Sequence, residues 1–431
     1  MTKSVSAGEH IRASSSSWPR RYAVVGLFSL ATVLCYADRV SISVAIIPLA
    51  RDRGYDAAAQ GLVLSAFFWG YIWPQLGGGW VADRFGGRRV LASGVATWSL
   101  ATLLTPAASA AFVLLLAARV LLGLGEAVNF PAIHSIAARW TRAGERSRVI
   151  SLNFSGMYLG TVLALLASPP IIVALGWPSL FYLSGSLGVI WVAIWLLCVS
   201  DTPEQSRSVT REELETILAD RPEAPLAGAM PWKAMLREKA VWAIVLAHFC
   251  SNFGFNILLL WLPTYLDRTF GVPLARIGAY ALVPWVATFF ASNGAGWLAD
   301  WMRWRGVRVG TVRKTLQSAS FLGGAAALLA LPAASTPWSA IALVTVSAAF
   351  NGVGLAAYGV NHLDIGPRYA GVLMGLSNTI AAVPGIVGVA AAGFILKATG
   401  SFAAVFYAIA AVYLLGMAGY AAWASGEVKL R

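Results

Sequence analysis

The sequence predicts an all-α membrane protein in which twelve transmembrane helices form two pseudo-symmetric six-helix bundles. Of its 431 residues, 58% are hydrophobic and only 12% are charged, which is too little charge for the surface of a soluble chain of this length. The apolar stretches are about 20 to 25 residues long, and at about 1.5 Å per residue such helices cross a hydrocarbon core of roughly 30 Å. The strands of a transmembrane barrel would instead be about ten residues long with alternating polarity.

Twelve apolar stretches can be separated along the chain. We predict spans at residues 22–49, 58–82, 90–107, 112–138, 148–174, 177–199, 240–266, 277–300, 315–332, 338–362, 370–396 and 402–424. A polar segment divides them six and six, which predicts a cytoplasmic tail (1–20), an N-terminal bundle (21–199), a cytoplasmic linker (200–237), a C-terminal bundle (238–425) and a short tail (426–431). Within the linker, Thr210-Arg211-Glu212-Glu213 has the spacing of a helix capping box and predicts a short surface helix.

The two halves contain a repeated motif. Gly79-Trp80-Val81-Ala82-Asp83, at the end of the second span, recurs as Gly296-Trp297-Leu298-Ala299-Asp300 at the end of the eighth. A motif at the same place in each half is typical of a parallel repeat. The repeat predicts a binding site between the bundles near the middle of the membrane, reached alternately from each side as the bundles rock.

The distribution of basic residues predicts the orientation. Most of the 32 Lys and Arg residues fall in the tails and the even-numbered gaps between spans, and the other side receives Arg51, Arg53, Arg268, Arg276 and Lys397. Because cytoplasmic loops are rich in Lys and Arg, we predict cytoplasmic termini and a multi-pass protein of a bacterial inner membrane. The same rule explains the net charge of +13, so nucleic acid is not an expected partner.

Four charged residues lie inside or close to predicted spans: Asp38, Arg39, Arg119 and Glu126. A charge at the bilayer centre costs about 2.5 to 3.5 kcal/mol on insertion scales, so each needs a partner or a function. Arg119 and Glu126 are seven residues apart and therefore share a helix face. In the functional interpretation an arginine binds an anion while the carboxylates take up and release a coupling cation or proton. In the alternative, the charges are structural ion pairs between the first and fourth spans.

The loop after the second span predicts a gate. Its glycine permits close helix approach, its aspartate can face the positive end of a neighbouring helix, and its arginines can bind carboxylates or lipid phosphates. Such a latch would stabilise an outward-open state and break on inward opening. The predicted gating residues are Gly79, Asp83, Arg84, Arg88 and Arg89, with Asp300 in the second copy.

Further polar groups within spans are candidates for lining the cavity or for binding helices to one another: Tyr36, Tyr71, Asn153, Tyr158, Ser377 and Asn378. His134 lies eight residues beyond Glu126 and is a candidate extension of a proton path. No Cys or His has metal-ligand spacing, and neither a catalytic Cys/His/Asp set nor a Gly-rich phosphate loop is recognisable. We therefore expect no metal, no cofactor and no enzyme activity.

At the loop after the second span, the sequence resembles the major facilitator superfamily, over residues 20 to 425. Three motifs resemble its anion:cation symporter family: Tyr36-Ala37-Asp38-Arg39; Arg119 followed by Glu126 and Asn129-Phe130-Pro131; and Asn361-His362-Leu363-Asp364-Ile365-Gly366-Pro367-Arg368-Tyr369-Ala370-Gly371. That family includes bacterial sugar-acid symporters, animal sialic-acid, vesicular glutamate and sodium/phosphate carriers, and plant plastid phosphate carriers.

The resemblance implies roles for particular residues. It implies substrate contact at Arg39, Tyr36, Tyr71 and Asn378, and cation or proton coupling at Asp38 and Glu126 with Arg119 as their partner. Ser251 stands where the glutamate carriers have an arginine, which disfavours glutamate. Two stretches resemble plant-type phosphate carriers and favour phosphate or an organic anion of similar size: Ser65-Ala66-Phe67-Phe68-Trp69-Gly70-Tyr71 and Trp261-Leu262-Pro263-Thr264-Tyr265.

The predicted function is secondary active transport of a small anion, either inorganic phosphate or a sugar or other organic acid, by symport with H⁺ or Na⁺ through alternating access. An exchanger of two anions and an uncoupled uniporter remain alternatives, and a uniporter has no need of the buried carboxylates of Asp38 and Glu126. The expected partners are the anion, the coupling ion and the lipid bilayer, and the expected state is a monomer.

Overall fold

The structure is a computed structural model that describes residues 19–142, 145–206, 208–219 and 232–430. Only the backbone is described for Leu76, Gly79, Trp80, Asp83 and Ser147. Within these limits the chain is helical and contains no strand. Its α-helices are α1 (Arg20–Arg53), α2 (Ala57–Phe85), α3 (Gly87–Ala108), α4 (Phe112–Ala127), α5 (Asn129–Trp140), α6 (Arg146–Leu175), α7 (Trp177–Cys198), α8 (Arg211–Ala219), α9 (Trp232–Arg237), α10 (Lys239–Phe270), α11 (Leu274–Trp304), α12 (Val309–Ala330), α13 (Pro337–Gly354), α14 (Tyr358–Ile365), α15 (Ala370–Thr399) and α16 (Phe402–Trp423).

The predicted spans correspond to these helices. Among the described residues, eleven helical segments are long and apolar enough to cross a membrane. The remaining predicted span is α2, whose 29 residues are about 43 Å long. The fourth and tenth spans are each built from two helices, α4 with α5 and α13 with α14. Because these spans hold the same place in their halves, the shared break supports the parallel repeat, and the predicted fold class is confirmed.

Equivalent helices also end in the same way. Gly54 ends α1 and Gly271 ends α10, each in the left-handed backbone conformation with φ of 68° and 61°. Glycine adopts this conformation without the penalty that a Cβ would add. We call the end of the molecule that carries Gly54 and Gly271 the far end, and the end that carries Gly86, Val199 and α8 the linker end.

The short helix α8 lies at the N-terminus of α1. Thr210 Oγ1 accepts a 3.2 Å hydrogen bond from Glu213 N, which is one half of the predicted capping box. The Glu213 carboxylate does not complete that box, because it accepts 3.0 Å hydrogen bonds from the backbone N–H groups of Arg20 and Arg21. It therefore caps a neighbouring helix, where the helix dipole favours a negative charge.

The two bundles pack tightly at the far end and diverge towards the linker end. A Cβ added to Gly61 of α2 would lie 3.0 Å from Ala390 O, and one added to Gly393 of α15 would lie 2.5 Å from Ala57 O. Nearer the linker end of the same helices, a Cβ at Gly77 or Gly371 would meet nothing within 4 Å. The space between the bundles is therefore closed at the far end.

Two ion pairs cross the closed far end. Arg51 Nη2 lies 2.6 Å from the Asp267 carboxylate, and Lys397 Nζ lies 2.8 Å from Asp56 Oδ2. Asp56 is the N-cap of α2, and the hydrogen bond from the backbone N–H of Ala59, followed by the contact with Lys397, holds the pKa of its carboxyl below the ordinary value. Because both basic side chains are well exposed, water and salt weaken these pairs. Close glycine packing therefore provides the main closure and the ion pairs add a latch.

Gly393→Leu is expected to prevent this closure, because its side chain would overlap the α2 backbone, and overpacking costs about 1–3 kcal/mol. Distances between spin labels on α2 and α15 at the far end should lengthen relative to the parent protein. Gly371→Leu is the matched control on the same helix. Equal distances in the two variants would contradict the described packing.

Candidate functional site

A buried ion pair joins α1 to α4 inside the N-terminal bundle. Glu126 Oε2 accepts hydrogen bonds from Arg39 Nε at 3.0 Å and Nη2 at 2.8 Å, and lies 3.3 Å from Cys35 Sγ. The Arg39 side chain keeps 10% of its exposure whereas that of Glu126 keeps none. Arg39 is therefore the member of the pair that an incoming solute can reach.

Three aromatic rings surround the Arg39 guanidinium. Its Cζ atom lies 4.6 Å from the ring centroid of Tyr36, 4.7 Å from that of Phe67 and 4.6 Å from that of Tyr71. Tyr36 is one turn away on α1, and the other two rings are four residues apart on α2. Such contacts contribute about 0.5–2 kcal/mol each, more when water is excluded. The rings surround the guanidinium, and its Nε and Nη2 groups donate to Glu126 Oε2.

Asp38 and Arg119 complete the charged cluster. Both are buried, and Arg119 interacts electrostatically with Glu126, Asp38 and Arg39. Glu126 was expected to pair with Arg119 on its own helix, but its hydrogen bonds go to Arg39. Two helical turns separate Glu126 and Arg119 by about 10.5 Å along the axis, whereas Arg39 faces Glu126 directly across the α1–α4 contact.

Several atoms of this cluster have no hydrogen-bond partner among the described residues. They are Asp38 Oδ1, Glu126 Oε1, and Arg119 Nε and Nη1. Both carboxylate oxygens and guanidinium nitrogens of the cluster therefore lack a partner. Each buried polar atom left without a hydrogen bond costs about 1–3 kcal/mol. An added cation and an added anion could satisfy both.

Asp38 lies close to two hydroxyl side chains that sequence reasoning did not select. Ser184 of α7 and Thr102 of α3 both interact with its carboxylate. A carboxylate beside two hydroxyls offers hard oxygen atoms of the type that bind a proton or a small cation. No sequence signal marks Thr102 or Ser184, since hydroxyl residues are common in these helices.

In the C-terminal bundle, the predicted substrate residue Ser377 lies between two histidines. Its Oγ is 3.2 Å from His248 Nδ1 on α10 and 2.9 Å from His362 Nε2 on α14. All three residues are buried. Ser377 therefore connects three helices of one bundle, which is the helix-binding alternative that the sequence left open for it. Its partners were not predicted, because the two histidines were considered only as metal ligands.

Asn378, the next residue along α15, faces the other bundle. Its Nδ2 donates a 2.7 Å hydrogen bond to Gln75 Oε1 of α2. Consecutive helical residues point about 100° apart, so Ser377 faces the bundle interior and Asn378 the space between the bundles. Of the two polar residues predicted on α15, only Asn378 is placed where a solute moving between the bundles would pass.

His134 is not joined to the charged cluster. It is exposed on α5, with Nδ1 2.8 Å from Phe130 O of its own helix and its ring 6.5 Å from that of Phe154. The described contacts provide no link from His134 to Glu126. A proton path through His134 stays a prediction without geometric support.

The predicted gate is described only in part, because only the backbone is described for Gly79 and Asp83. Arg88 Nη2 donates a 2.6 Å hydrogen bond to Leu196 O, and Arg89 lies 3.8 Å from Asp201. These contacts fasten α3 to the end of α7 within one bundle. Arg84 and Asp300 are exposed, and the gating role of this loop stays a prediction.

The sequence profile of the Major Facilitator Superfamily matches residues 28–389. The chain belongs to this superfamily. It is therefore a transporter embedded in a membrane by many spans, and not an enzyme. Solved structures agree in fold: a bacterial homologue of the human lysosomal transporter Spinster has a TM-score of 0.76 at 18% identity, covering 94% of this chain and 97% of that one. A D-xylose-proton symporter has a TM-score of 0.75 at 14% identity, covering 94% and 98%.

Relatives of known name are more similar in sequence. The chloroplastic ascorbate transporter of Arabidopsis thaliana is 41% identical over 420 residues, which cover 96% of this chain and 77% of the relative. The chloroplastic sodium-dependent phosphate transport protein 1 of the same plant is 40% identical over 411 residues, covering 95% and 80%. The relatives are thus named as carriers of small anions, and the predicted superfamily and anion-carrier resemblance are confirmed.

Ser377→Ala is expected to lower the free energy of unfolding by about 1–3 kcal/mol, because it leaves two buried imidazoles without a shared partner. Thermal unfolding of the purified protein measures the loss. The control is Thr379→Ala, which removes an exposed hydroxyl bonded to Gly375 O of its own helix. A melting temperature for Ser377→Ala as high as that of the control would argue against the bridging role.

Proposed function

We propose that this transporter moves a small anion, inorganic phosphate or an organic acid of similar size, by symport with H⁺ or Na⁺. The observation that carries the proposal is the Arg39 guanidinium, caged by three aromatic rings, partly accessible and hydrogen-bonded to one carboxylate oxygen. Arginine is the side chain best suited to oxyanions, because its planar N–H groups match carboxylate and phosphate geometry.

The charge count of the cluster supports coupling. Arg39 and Arg119 balance Asp38 and Glu126 when both carboxylates are ionised, so the cluster is neutral without a ligand. A bound anion would then leave a net negative charge in a medium of low dielectric constant, which is strongly unfavourable. Uptake of one cation by a carboxylate restores neutrality, so anion and cation bind best together.

The hydrogen bonds suggest how one ligand assists the other. An anion that binds Arg39 competes with Glu126 Oε2 for the same N–H groups. The released carboxylate, with its second oxygen already lacking a described partner, is then free to take a proton or Na⁺. Asp38, with its neighbouring hydroxyls, is the second cation-binding candidate. Exchange of two anions and uncoupled transport remain alternatives, and an uncoupled uniporter would have no need of two buried carboxylates.

The names of the relatives favour particular substrates. One is named an ascorbate transporter and another a sodium-dependent phosphate transport protein. Ascorbate and phosphate both present several oxygens and a delocalised negative charge, which suits Arg39 with hydroxyl and amide groups from Tyr36, Tyr71 and Asn378. We propose one of these anions, or a sugar acid of similar chemistry, as the substrate.

We also propose that the linker end and both termini face the cytoplasm, because cytoplasmic loops carry most of the Lys and Arg residues. With that orientation the closed far end faces outward and the structure is inward-facing. The bacterial inner membrane stays a prediction, since the relatives named above are chloroplastic.

Glu126→Gln is expected to abolish uptake driven by an H⁺ or Na⁺ gradient while retaining counterflow, because the amide cannot carry the coupling ion. Arg39→Gln should lose both activities through loss of anion binding. Uptake and counterflow of phosphate and of ascorbate in proteoliposomes measure the difference. Glu215→Gln, which removes an exposed carboxylate of α8, is the control. Equal loss of uptake and counterflow in folded Glu126→Gln would falsify the separate roles.

Cys198 tests the orientation, because it is exposed at the linker end whereas Cys35 and Cys250 are buried. In intact bacterial cells expressing the protein, a membrane-impermeant maleimide should leave Cys198 unlabelled and should label a cysteine at Ser335, which is exposed at the far end. Labelling of Cys198 without permeabilisation would reverse the assignment.

A further inference from the structure

A polar cavity lies at the far end, beyond Arg39 along α1. Its volume is about 200 Å³, and it is lined by residues of α1, the α1–α2 connection, α2 and α10, so both bundles contribute to it. We propose that this cavity is a docking site for a small anion, held by Arg268 and Arg51, and that anion binding there weakens the ion pair that latches the far end. The inference extends the proposed function, since the docked anion would be the transported one.

The charge of the lining favours an anion. The charged residues that line the cavity are Arg51, Arg268 and Asp267, which leaves one positive charge in excess. The nearby Lys397 and Asp56 compensate each other through their 2.8 Å ion pair. The cavity therefore has the sign of charge that attracts small anions and guides them towards a site.

Arg268 is available for a ligand. No hydrogen bond or ion pair joins its guanidinium to another side chain in the described part of the protein, although Asp267 and Arg51 lie close enough to interact electrostatically. Arg51, by contrast, places Nη2 2.6 Å from both oxygens of Asp267. Arg51 is thus paired with a carboxylate, whereas Arg268 has no such partner among the described residues.

Neutral polar groups supply further contacts. Thr264 and Gln60 are buried in the cavity lining, and Thr264 Oγ1 has no hydrogen-bond partner among the described residues. Thr264 belongs to the Trp261-Leu262-Pro263-Thr264-Tyr265 motif, which the central site does not use. A hydroxyl without a partner beside a free guanidinium is the type of group that completes the hydrogen bonds of a bound oxyanion.

The position of the cavity links anion binding to opening. Arg51 belongs to α1 and Asp267 to α10, so their ion pair crosses between the bundles. An anion beside Arg268 would offer Arg51 an alternative negative partner and would repel the Asp267 carboxylate. The far end would then lose the Arg51–Asp267 ion pair when a substrate is bound, which favours opening on the side from which that substrate binds.

Phosphate binding to purified full-length protein tests the site. The ³¹P line width of inorganic phosphate is measured with Arg39→Gln, which removes the central anion site, and then with Arg39→Gln combined with Arg268→Gln or with Arg276→Gln. Arg276 is an exposed far-end arginine that does not line the cavity. We expect phosphate affinity to fall about tenfold with Arg268→Gln, as for the loss of one charge-assisted contact, and to remain with Arg276→Gln.

Spin-label distances across the far end provide the second readout. In Arg39→Gln protein, phosphate should shift the distribution towards longer distances, and the additional Arg268→Gln change should remove that shift. Asp267→Asn should lengthen the distances without phosphate. Equal phosphate binding in the two double variants would overturn the docking site, and binding without a distance change would overturn the link to the latch. A wild-type protein that takes up neither phosphate nor ascorbate nor a sugar acid such as glucuronate would refute the proposed function instead, whatever the far-end result.

Discussion

The buried pair of Arg39 and Glu126 is the interaction on which the proposed transport site depends. Charged groups at this depth are tolerated only when they compensate one another, and two arginines and two carboxylates do so here. The desolvation cost of a buried ion pair nearly equals its electrostatic gain. Removing one partner destabilises the protein by about 3–5 kcal/mol, because the other charge stays buried and unpaired. A ligand that replaces one ionic partner with another therefore changes the total energy little. That near balance permits binding and release at the same site.

The glycine faces at the far end determine how the two bundles can move. Gly61 and Gly393 bring α2 and α15 into backbone contact, and a Cβ added to Gly278 of α11 would overlap Leu165 O of α6. Close contact at one end combined with separation at the other is the geometry of two rigid bundles that rock about a site between them. The ion pairs across the far end are exposed and weak, so they can be exchanged without unfolding either bundle.

The sequence was sufficient for the spans and for the identity of the charged cluster, because a charge inside an apolar stretch stands out without any knowledge of packing. The sequence was not sufficient to predict which residues bind these charged side chains. Spacing along one helix suggested Arg119 for Glu126, whereas the hydrogen bonds come from Arg39 on another helix. Likewise, His248 and His362 are far apart in the sequence, yet both contact Ser377. The Glu213 carboxylate, which was expected to cap its own helix, caps α1. Contacts between helices depend on packing, which periodicity does not report.

An arginine held by a carboxylate of another helix occurs both at the centre and at the far end, but the two arrangements differ in one respect. Arg39 and Glu126 belong to the same bundle, so an anion that separates them changes the charge state of the site and leaves the bundle intact. Arg51 and Asp267 belong to opposite bundles, so an anion that separates them loosens the contact between bundles. In the proposed mechanism the same ligand chemistry therefore loads a coupling ion at one place and favours opening at the other, and the difference follows only from which helices carry the partners.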